Sequence, residues 1–267
     1  MSEPEQKIVD GWEVHDHGPP DASHSALCLP GALCSDEFFA DVLAEPSLGE
    51  AGIRLVTTTL PGYAGSAPTS DYGIEGYAAG ATSLAETLGC DAIVGHSLGA
   101  NVAIEMAGSG AFSGPLVVLS PSFSWADEAL ILRVLAQAAR VLGSLPYAAM
   151  FKIIGPAMKS EIPEARYETL VAEMKKNDPA FVRSQTELYF EYLDRHGSVA
   201  PRLCDSGVRA HVVYGEDKGE VGITDEERNL IEGCPTTTLE TIPGAGHMTL
   251  TQKPERIAAL IVETISA

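Results

Sequence analysis

The stretch Ile93-Val94-Gly95-His96-Ser97-Leu98-Gly99-Ala100 joins two hydrophobic patterns across one serine. Residues 91–94 form a short apolar run that is typical of a buried strand, and residues 98–107 have the pattern of a helix. A serine on such a turn projects its hydroxyl out of the sheet, and the flanking glycines let neighbouring backbones approach closely. The pattern predicts Ser97 as a nucleophile. It also places the Leu98 N–H at the helix start, where it can stabilise an oxyanion.

A serine hydroxyl is a poor nucleophile until a base takes its proton, and His247 is the best placed of the seven histidines. It follows an apolar run at residues 237–242, in a glycine-rich turn before a predicted helix at residues 254–265. His96 is adjacent to the serine, but side chains so close on this turn diverge. We therefore predict His247 as the base.

The third group of such a site is a carboxylate that orients the imidazole and stabilises its charge. We predict Asp217, because it follows the apolar run that ends the predicted strand at residues 209–214. Three other carboxylates remain alternatives: Glu216, Glu220 and Asp127. The chain order serine, acid, histidine differs from the orders of trypsin-like and subtilisin-like folds.

Short apolar runs alternate with helical stretches in both flanks of the chain, which predicts a mostly parallel sheet covered by helices on both faces. The predicted strands are residues 12–15, 26–29, 53–58, 91–94, 115–119, 209–214 and 237–242. The predicted helices of the flanks are residues 36–43, 76–88, 98–107, 225–231 and 254–265. In such sheets, ligands bind at the carboxyl ends of the strands.

The middle of the chain has a different character. Residues 121–206 contain ten Lys or Arg against eleven Asp or Glu, whereas residues 1–120 contain two against sixteen. The middle segment also has a helical pattern throughout. We predict one α/β domain, residues 1–120 and 207–267, interrupted by a helical insertion at residues 121–206.

One predicted helix of the insertion, residues 129–142, is apolar over most of its circumference. Its polar residues Arg133, Gln137 and Arg140 form one narrow stripe, and Ser124 with Asp127 is a candidate amino-terminal cap. Such a helix is expected to pack on several sides or to face an apolar cavity. Two further helical stretches, residues 145–158 and 180–193, complete a predicted lid over an apolar pocket.

Composition excludes several classes of protein. The formal net charge is −20, which disfavours binding to nucleic acid and to anionic membranes. No apolar run approaches the ~20 residues of a membrane span, and residues 1–11 are acidic and polar, unlike a signal peptide. The five cysteines have neither metal-site nor disulfide-framework spacing, so we expect reduced packing residues in a cytoplasmic protein.

The chain resembles the α/β-hydrolase fold superfamily over nearly its whole length. The loop Leu60-Pro61-Gly62-Tyr63-Ala64-Gly65-Ser66 is similar to the family's glycine-rich loop after the fourth strand, and Ile242-Pro243-Gly244-Ala245-Gly246-His247 resembles its histidine turn. Gln252-Lys253-Pro254-Glu255 resembles its usual opening of the last helix. Leu29-Pro30-Gly31-Ala32 occupies the place of the family's oxyanion loop. The resemblance implies that the Ala32 N–H is a second oxyanion donor and that a helical cap follows the sixth strand.

The chain departs from the family pattern in three places. Pro30 replaces a loop histidine, and Thr59 stands where the family often has aspartate. The family's usual acid position is Lys218 here, with Asp217 one residue earlier.

These observations predict a serine hydrolase with Ser97, His247 and Asp217 as its catalytic triad, which cleaves a carboxylic ester of a small, largely apolar substrate. No metal or organic cofactor is needed, and the oligomeric state, monomer or homodimer, stays open. A serine nucleophile in place of aspartate disfavours epoxide hydrolase and dehalogenase activity. The alternatives are thioesterase, lactonase, carbon–carbon bond hydrolase and perhydrolase activities of the same triad, or a small-molecule receptor with little turnover.

Overall fold

The computed structural model describes residues 6–19, 21–216 and 222–266, and eight strands in these ranges form one sheet. In chain order the strands are β1 (Gln6–Val9), β2 (Trp12–His17), β3 (His24–Leu29), β4 (Ile53–Thr59), β5 (Ala92–His96), β6 (Leu116–Leu119), β7 (Ala210–Gly215) and β8 (Thr237–Ile242). Their order across the sheet is β1-β2-β4-β3-β5-β6-β7-β8. Seven of them match the predicted strands within a few residues.

Strand β1 is missing from the sequence prediction. It pairs with β2 as a hairpin whose turn residues Asp10 and Gly11 both have positive φ, 50° and 85°. An Asp-Gly pair is the turn signal of a tight two-residue hairpin, because both residues tolerate that conformation. The signal was therefore present in the sequence.

The sheet is mostly parallel, as predicted. Strand β2 pairs antiparallel with β1 and β4, and every other neighbouring pair in the sheet is parallel. In the middle of the sheet, Gly95 of β5 lies opposite Leu29 of β3 and Val118 of β6. The carboxyl ends of the parallel strands therefore meet at one edge, where the loops that carry Ser97 and His247 begin.

Helices cover both faces of the sheet. In the two flanks they are α1 (Ala40–Leu43), α2 (Pro46–Glu50), α3 (Ile74–Leu88), α4 (Leu98–Gly108), α10 (Asp225–Glu232), α11 (Thr249–Gln252) and α12 (Pro254–Ile265). Alternate residues of β3 point to opposite faces: Leu27 packs in the cluster that contains α3 and α4, and Cys28 packs in the cluster that contains α2 and α12. The predicted two-sided packing is confirmed.

The chain between β6 and β7, which we call the β6–β7 segment (residues 120–209), contains helices and no strand. They are α5 (Leu130–Leu142), α6 (Leu145–Met158), α7 (Glu164–Met174), α8 (Pro179–His196) and α9 (Ala200–Asp205). Helices α5, α6 and α8 fall close to their predicted ranges. Helices α7 and α9 had no specific prediction.

Helix α5 corrects one expectation. Only Ala136 and Ala139 of this helix are buried, so its predicted packing on several sides is wrong. Ile131, Leu132 and Leu135 instead line a cavity, as the other reading of the pattern predicts. The predicted amino-terminal cap formed by Ser124 and Asp127 exists, but it caps the 3-10 turn Trp125–Asp127, which precedes α5.

All five cysteines are free, four of them buried and Cys204 partly exposed. None of the helices in the described ranges combines the length and apolar character that a bilayer span requires.

Candidate active site

Ser97 lies at the bend between β5 and α4 in a backbone conformation that side chains rarely adopt, with φ 51° and ψ −116°. Such a conformation costs about 1–3 kcal/mol and persists only where the surrounding structure holds it. The Ser97 N–H donates to the Leu119 carbonyl at 2.8 Å, and the Ser97 carbonyl accepts from the Ala100 N–H at 2.9 Å. The bend is therefore tied to the end of β6 and to the first turn of α4.

The glycines on either side of the serine are required by close contacts between backbones. A Cβ at Gly95 would overlap the carbonyl oxygen of Gly99, and a Cβ at Gly99 would overlap the carbonyl oxygen of Leu29. The loop after β3 also lies near the serine, since a Cβ at Gly31 would lie 3.1 Å from the Cβ of Ser97. These contacts confirm the packing reason for the glycine spacing.

The two predicted oxyanion residues, Ala32 and Leu98, line the same cavity as Ser97. Leu98 is the first residue of α4, where a backbone N–H has no partner within the helix. The positive end of the helix dipole adds to the attraction for an anion at this point. The loop after β3 brings Ala32 to the same edge of the sheet.

His247 also lines this cavity, in the loop between β8 and α11. Its Nδ1 atom is buried and has no hydrogen-bond partner among the described residues. Burial, together with the neighbouring His96, lowers the pKa of His247 to about 3. These surroundings favour the neutral imidazole, which is the form that accepts a proton.

His96 holds the histidine loop in place. Its Nε2–H donates to the His247 carbonyl at 3.0 Å, because a carbonyl only accepts, and the Ser120 hydroxyl donates to the same carbonyl at 3.4 Å. His96 is 1% exposed and is not among the residues that line the cavity. That its side chain diverges from Ser97 stays a prediction. Its contact with the His247 backbone was not foreseen, since 151 residues separate the two.

The predicted acid, Asp217, lies outside the described residues, as does the alternative Glu220. The described part of the β7 loop is packed against the histidine loop: a Cβ at Gly215 would overlap the Gly246 carbonyl oxygen. The alternative Glu216 is exposed, and its carboxylate accepts from the Gly244 N–H at 3.2 Å.

The last alternative, Asp127, has a different role in the structure. One of its carboxylate oxygens accepts from the N–H groups of Phe123 and Ser124, and the other accepts from the Thr224 N–H. Burial and the nearby Glu227 raise the pKa of Asp127 to about 7. Asp127 is not among the residues that line the cavity.

The cavity beside Ser97 has a volume of about 600 Å³. Much of its wall comes from α5 and α6 and is apolar, with Leu135, Met150 and Ile154 among the lining residues. A smaller part of the wall is polar and includes Gln185, Thr186 and Tyr189 of α8.

Glu128 and Gln185 are among the polar lining residues that were not identified from the sequence. Glu128 accepts a hydrogen bond from the Tyr189 hydroxyl, and burial raises the pKa of this carboxyl. The position of Gln185 in α8 could have indicated that it lines the cavity, because Val182, Gln185 and Tyr189 are spaced to lie on one face of the helix. In the described ranges, no group of three or more His, Cys, Asp or Glu residues is arranged to hold a metal ion.

A sequence profile of the alpha/beta hydrolase family matches residues 26–260, so the chain belongs to this family. The predicted family membership is thereby confirmed. Comparison with curated proteins found no match.

Solved structures with the same fold have diverse functions. The chain is similar to an esterase from Exiguobacterium antarcticum, with a TM-score of 0.76 and 16% identity over 99% of this chain and 100% of that chain. It is also similar to AqDC, described for ring-cleavage of the Pseudomonas quinolone signal, with a TM-score of 0.78 and 15% identity over 98% of this chain and 100% of that chain. A third similar structure is the epoxide hydrolase CorEH, with a TM-score of 0.73 and 17% identity over 98% of both chains. At such identities the similarity shows the fold alone.

Proposed function

We propose that this member of the family is a serine hydrolase that cleaves a carboxylic ester of a small, largely apolar substrate through an acyl-enzyme. The observation that carries the proposal is the shared cavity: the strained Ser97 and the half-buried His247 both line it, together with Ala32 and Leu98. A nucleophile, a neutral base and two backbone donors at one edge of a sheet are the groups that acyl transfer requires.

The reaction has two halves. His247 takes the proton of the Ser97 hydroxyl while the oxygen attacks the ester carbonyl, and the N–H groups of Ala32 and Leu98 stabilise the oxyanion. The C–O bond to the alcohol breaks as His247 donates the proton to it, which leaves the acyl group on Ser97. Water, deprotonated by His247, then attacks the acyl-enzyme, and the carboxylic acid leaves as the proton returns to Ser97.

The same proposal assigns the acid to Asp217. Two observations support a carboxylate from the β7 loop: the close contact of Gly215 with the histidine loop, and the buried Nδ1 of His247 without a partner among the described residues. Among the described alternatives, Glu216 accepts from Gly244 and Asp127 accepts from the three backbone N–H groups given above. Asp217 directly follows Glu216 in the chain.

Residues 121–206, which lie within the β6–β7 segment, would act as a cap over the site. Its helices α5, α6 and α8 supply most of the cavity wall. An apolar wall favours an aliphatic or aromatic acyl group, because each buried CH₂ contributes about 0.8 kcal/mol.

The experiment that tests the proposal is labelling with a fluorophosphonate, followed by turnover of p-nitrophenyl esters of increasing acyl length. We expect stoichiometric labelling of Ser97, loss of both labelling and turnover in Ser97→Ala, and a rise in kcat/KM with chain length until the cavity is full. The exposed Ser109→Ala, outside the cavity lining, is the matched control and should behave as wild type. Labelling of another residue, or full turnover by Ser97→Ala, would refute the mechanism.

A further inference from the structure

The polar part of the cavity wall includes Gln185, whose side-chain donor has no partner among the described residues. Gln185 lines the cavity and is 1% exposed. Its Oε1 accepts from the Tyr63 hydroxyl at 2.6 Å, whereas its Nε2 is buried and has no partner among the described residues. A buried donor that is left unpaired costs free energy, which a ligand with an acceptor would recover.

The neighbouring polar groups on this wall already have partners. The Thr186 hydroxyl donates to the Val182 carbonyl at 2.7 Å, and the Tyr189 hydroxyl donates to Glu128. Gln185 is thus the lining residue of α8 whose side-chain donor, Nε2, has no partner among the described residues.

The Gln185 amide is held firmly. Tyr63, which binds its oxygen, is fully buried and packs edge-on against Phe181, with ring centroids 5.3 Å apart. Both Phe181 and Gln185 belong to α8, so the tyrosine contacts the helix on either side of one turn. A fixed amide gives a directional donor at little entropic cost.

We propose that Gln185 is a substrate-recognition residue whose Nε2–H donates to a second carbonyl oxygen in the acyl chain, remote from the ester. This inference rests on the proposed function and deepens it, since it names the substrate class as esters of oxo-acids. The proposal places the acceptor in the acyl chain, the half of the ester that stays attached to Ser97 after the alcohol leaves. A carbonyl suits the site because it accepts a hydrogen bond and has no proton that needs a second partner.

The test compares p-nitrophenyl heptanoate with its 4-oxo, 5-oxo and 6-oxo analogues, which differ little in size. We expect one oxo position to raise kcat/KM about tenfold over the plain ester, mainly through KM, as one matched hydrogen bond would give. In Gln185→Met, which keeps the side-chain length and removes the amide, this ratio should fall to about one. No favoured oxo position, or an unchanged ratio in the variant, would overturn the proposal.

Two further variants separate recognition from folding. Gln185→Glu keeps an acceptor for the Tyr63 hydroxyl and replaces Nε2 by oxygen, so above neutral pH it should also lose the oxo preference while the Tyr63 contact is kept. Gln137→Met makes the same substitution at an exposed position of α5 that does not line the cavity, and it should keep the wild-type ratio. A Gln137→Met variant that loses the ratio would contradict the role of Gln185.

Binding to Ser97→Ala distinguishes failure of this inference from failure of the proposed function. Calorimetry should give tighter binding of the favoured methyl oxoheptanoate than of methyl heptanoate, and the difference should vanish in Ser97→Ala/Gln185→Met. That result with no turnover by wild type would refute the hydrolase and support recognition by Gln185. Turnover without any oxo-dependent binding would refute the recognition and leave the hydrolase standing.

Discussion

Helices α4 and α5 are both rich in apolar residues, yet they have opposite environments. Every residue of α4 from Leu98 to Ala107 is buried, including the polar Asn101 and Glu105. In α5 only two alanines are buried, and five large apolar side chains are more than half exposed. They are Leu130, Ile131, Val134, Val141 and Leu142.

The difference follows from the position of each helix in the topology. Helix α4 connects the adjacent parallel strands β5 and β6, so it must lie on the sheet, where α3 and α9 also cover it. Its polar residues have hydrogen-bond partners: the Asn101 Nδ2 donates to the Ser122 carbonyl at 2.6 Å, and Arg202 donates to both carboxylate oxygens of Glu105. Helix α5 begins after the chain has left the sheet, so one side faces the cavity and the other faces solvent. Apolar composition therefore does not decide burial by itself.

The largest effect is expected from a substitution that tests whether the loop after β7 supplies the catalytic acid. Asp217→Asn should lower kcat by about 10⁴-fold, because the amide would hold the wrong tautomer of His247. Loss of the carboxylate should also lower the pKa of His247 in an NMR titration, because a negative charge that stabilises the imidazolium is removed.

The matched control for this prediction makes the same substitution, aspartate to asparagine, at a residue of the β6–β7 segment. Asp127→Asn should keep most of the activity, because Asp127 accepts from backbone N–H groups and does not line the cavity. The opposite result would be a large loss of kcat in Asp127→Asn and a small one in Asp217→Asn, with thermal unfolding unchanged in both. It would assign the acid to Asp127 in the β6–β7 segment.

An intermediate effect is expected at the start of α4. Gly99→Ala would push the helix away from the Leu29 and Pro30 carbonyl oxygens and displace Ser97, which should reduce kcat/KM about 100-fold. Ester hydrolysis and thermal unfolding measure the two consequences. Gly49→Ala, where the added methyl meets open space, should leave activity and melting temperature near wild type. Equal activity of the two variants would show that the close approach is unnecessary.

The smallest effect is expected when the same substitution, valine to alanine, is made once in each of the two helices. Val102→Ala in α4 should destabilise the fold by about 2 kcal/mol, because it removes fully buried methyl groups and leaves a cavity. Val141→Ala in α5, at 87% exposure, should change stability by less than about 0.5 kcal/mol. Urea unfolding at equilibrium measures both free energies. Similar losses in the two variants would mean that the exposed face of α5 is covered in solution.

The candidate site was predicted to the extent that its signals are local. The serine bend needs Gly95 and Gly99 within two residues of Ser97, and the histidine turn lies directly after β8, so spacing alone reveals both. The tether from His96 to the His247 carbonyl and the contact of Tyr63 with Gln185 join residues 151 and 122 positions apart. No local sequence pattern predicts such pairs, because neither partner differs in its local sequence from the other residues of its own element.

The sequence by itself determined the alternation of strands and helices, the mostly parallel sheet and the positions of the serine and histidine turns, because these depend on periodicity and backbone sterics over a few residues. The tertiary structure decided which apolar helix is buried, where the cavity lies and which of its polar atoms has no partner among the described residues. Those properties depend on what a side chain meets across the fold, and that is set by how the helices pack on the sheet and on each other.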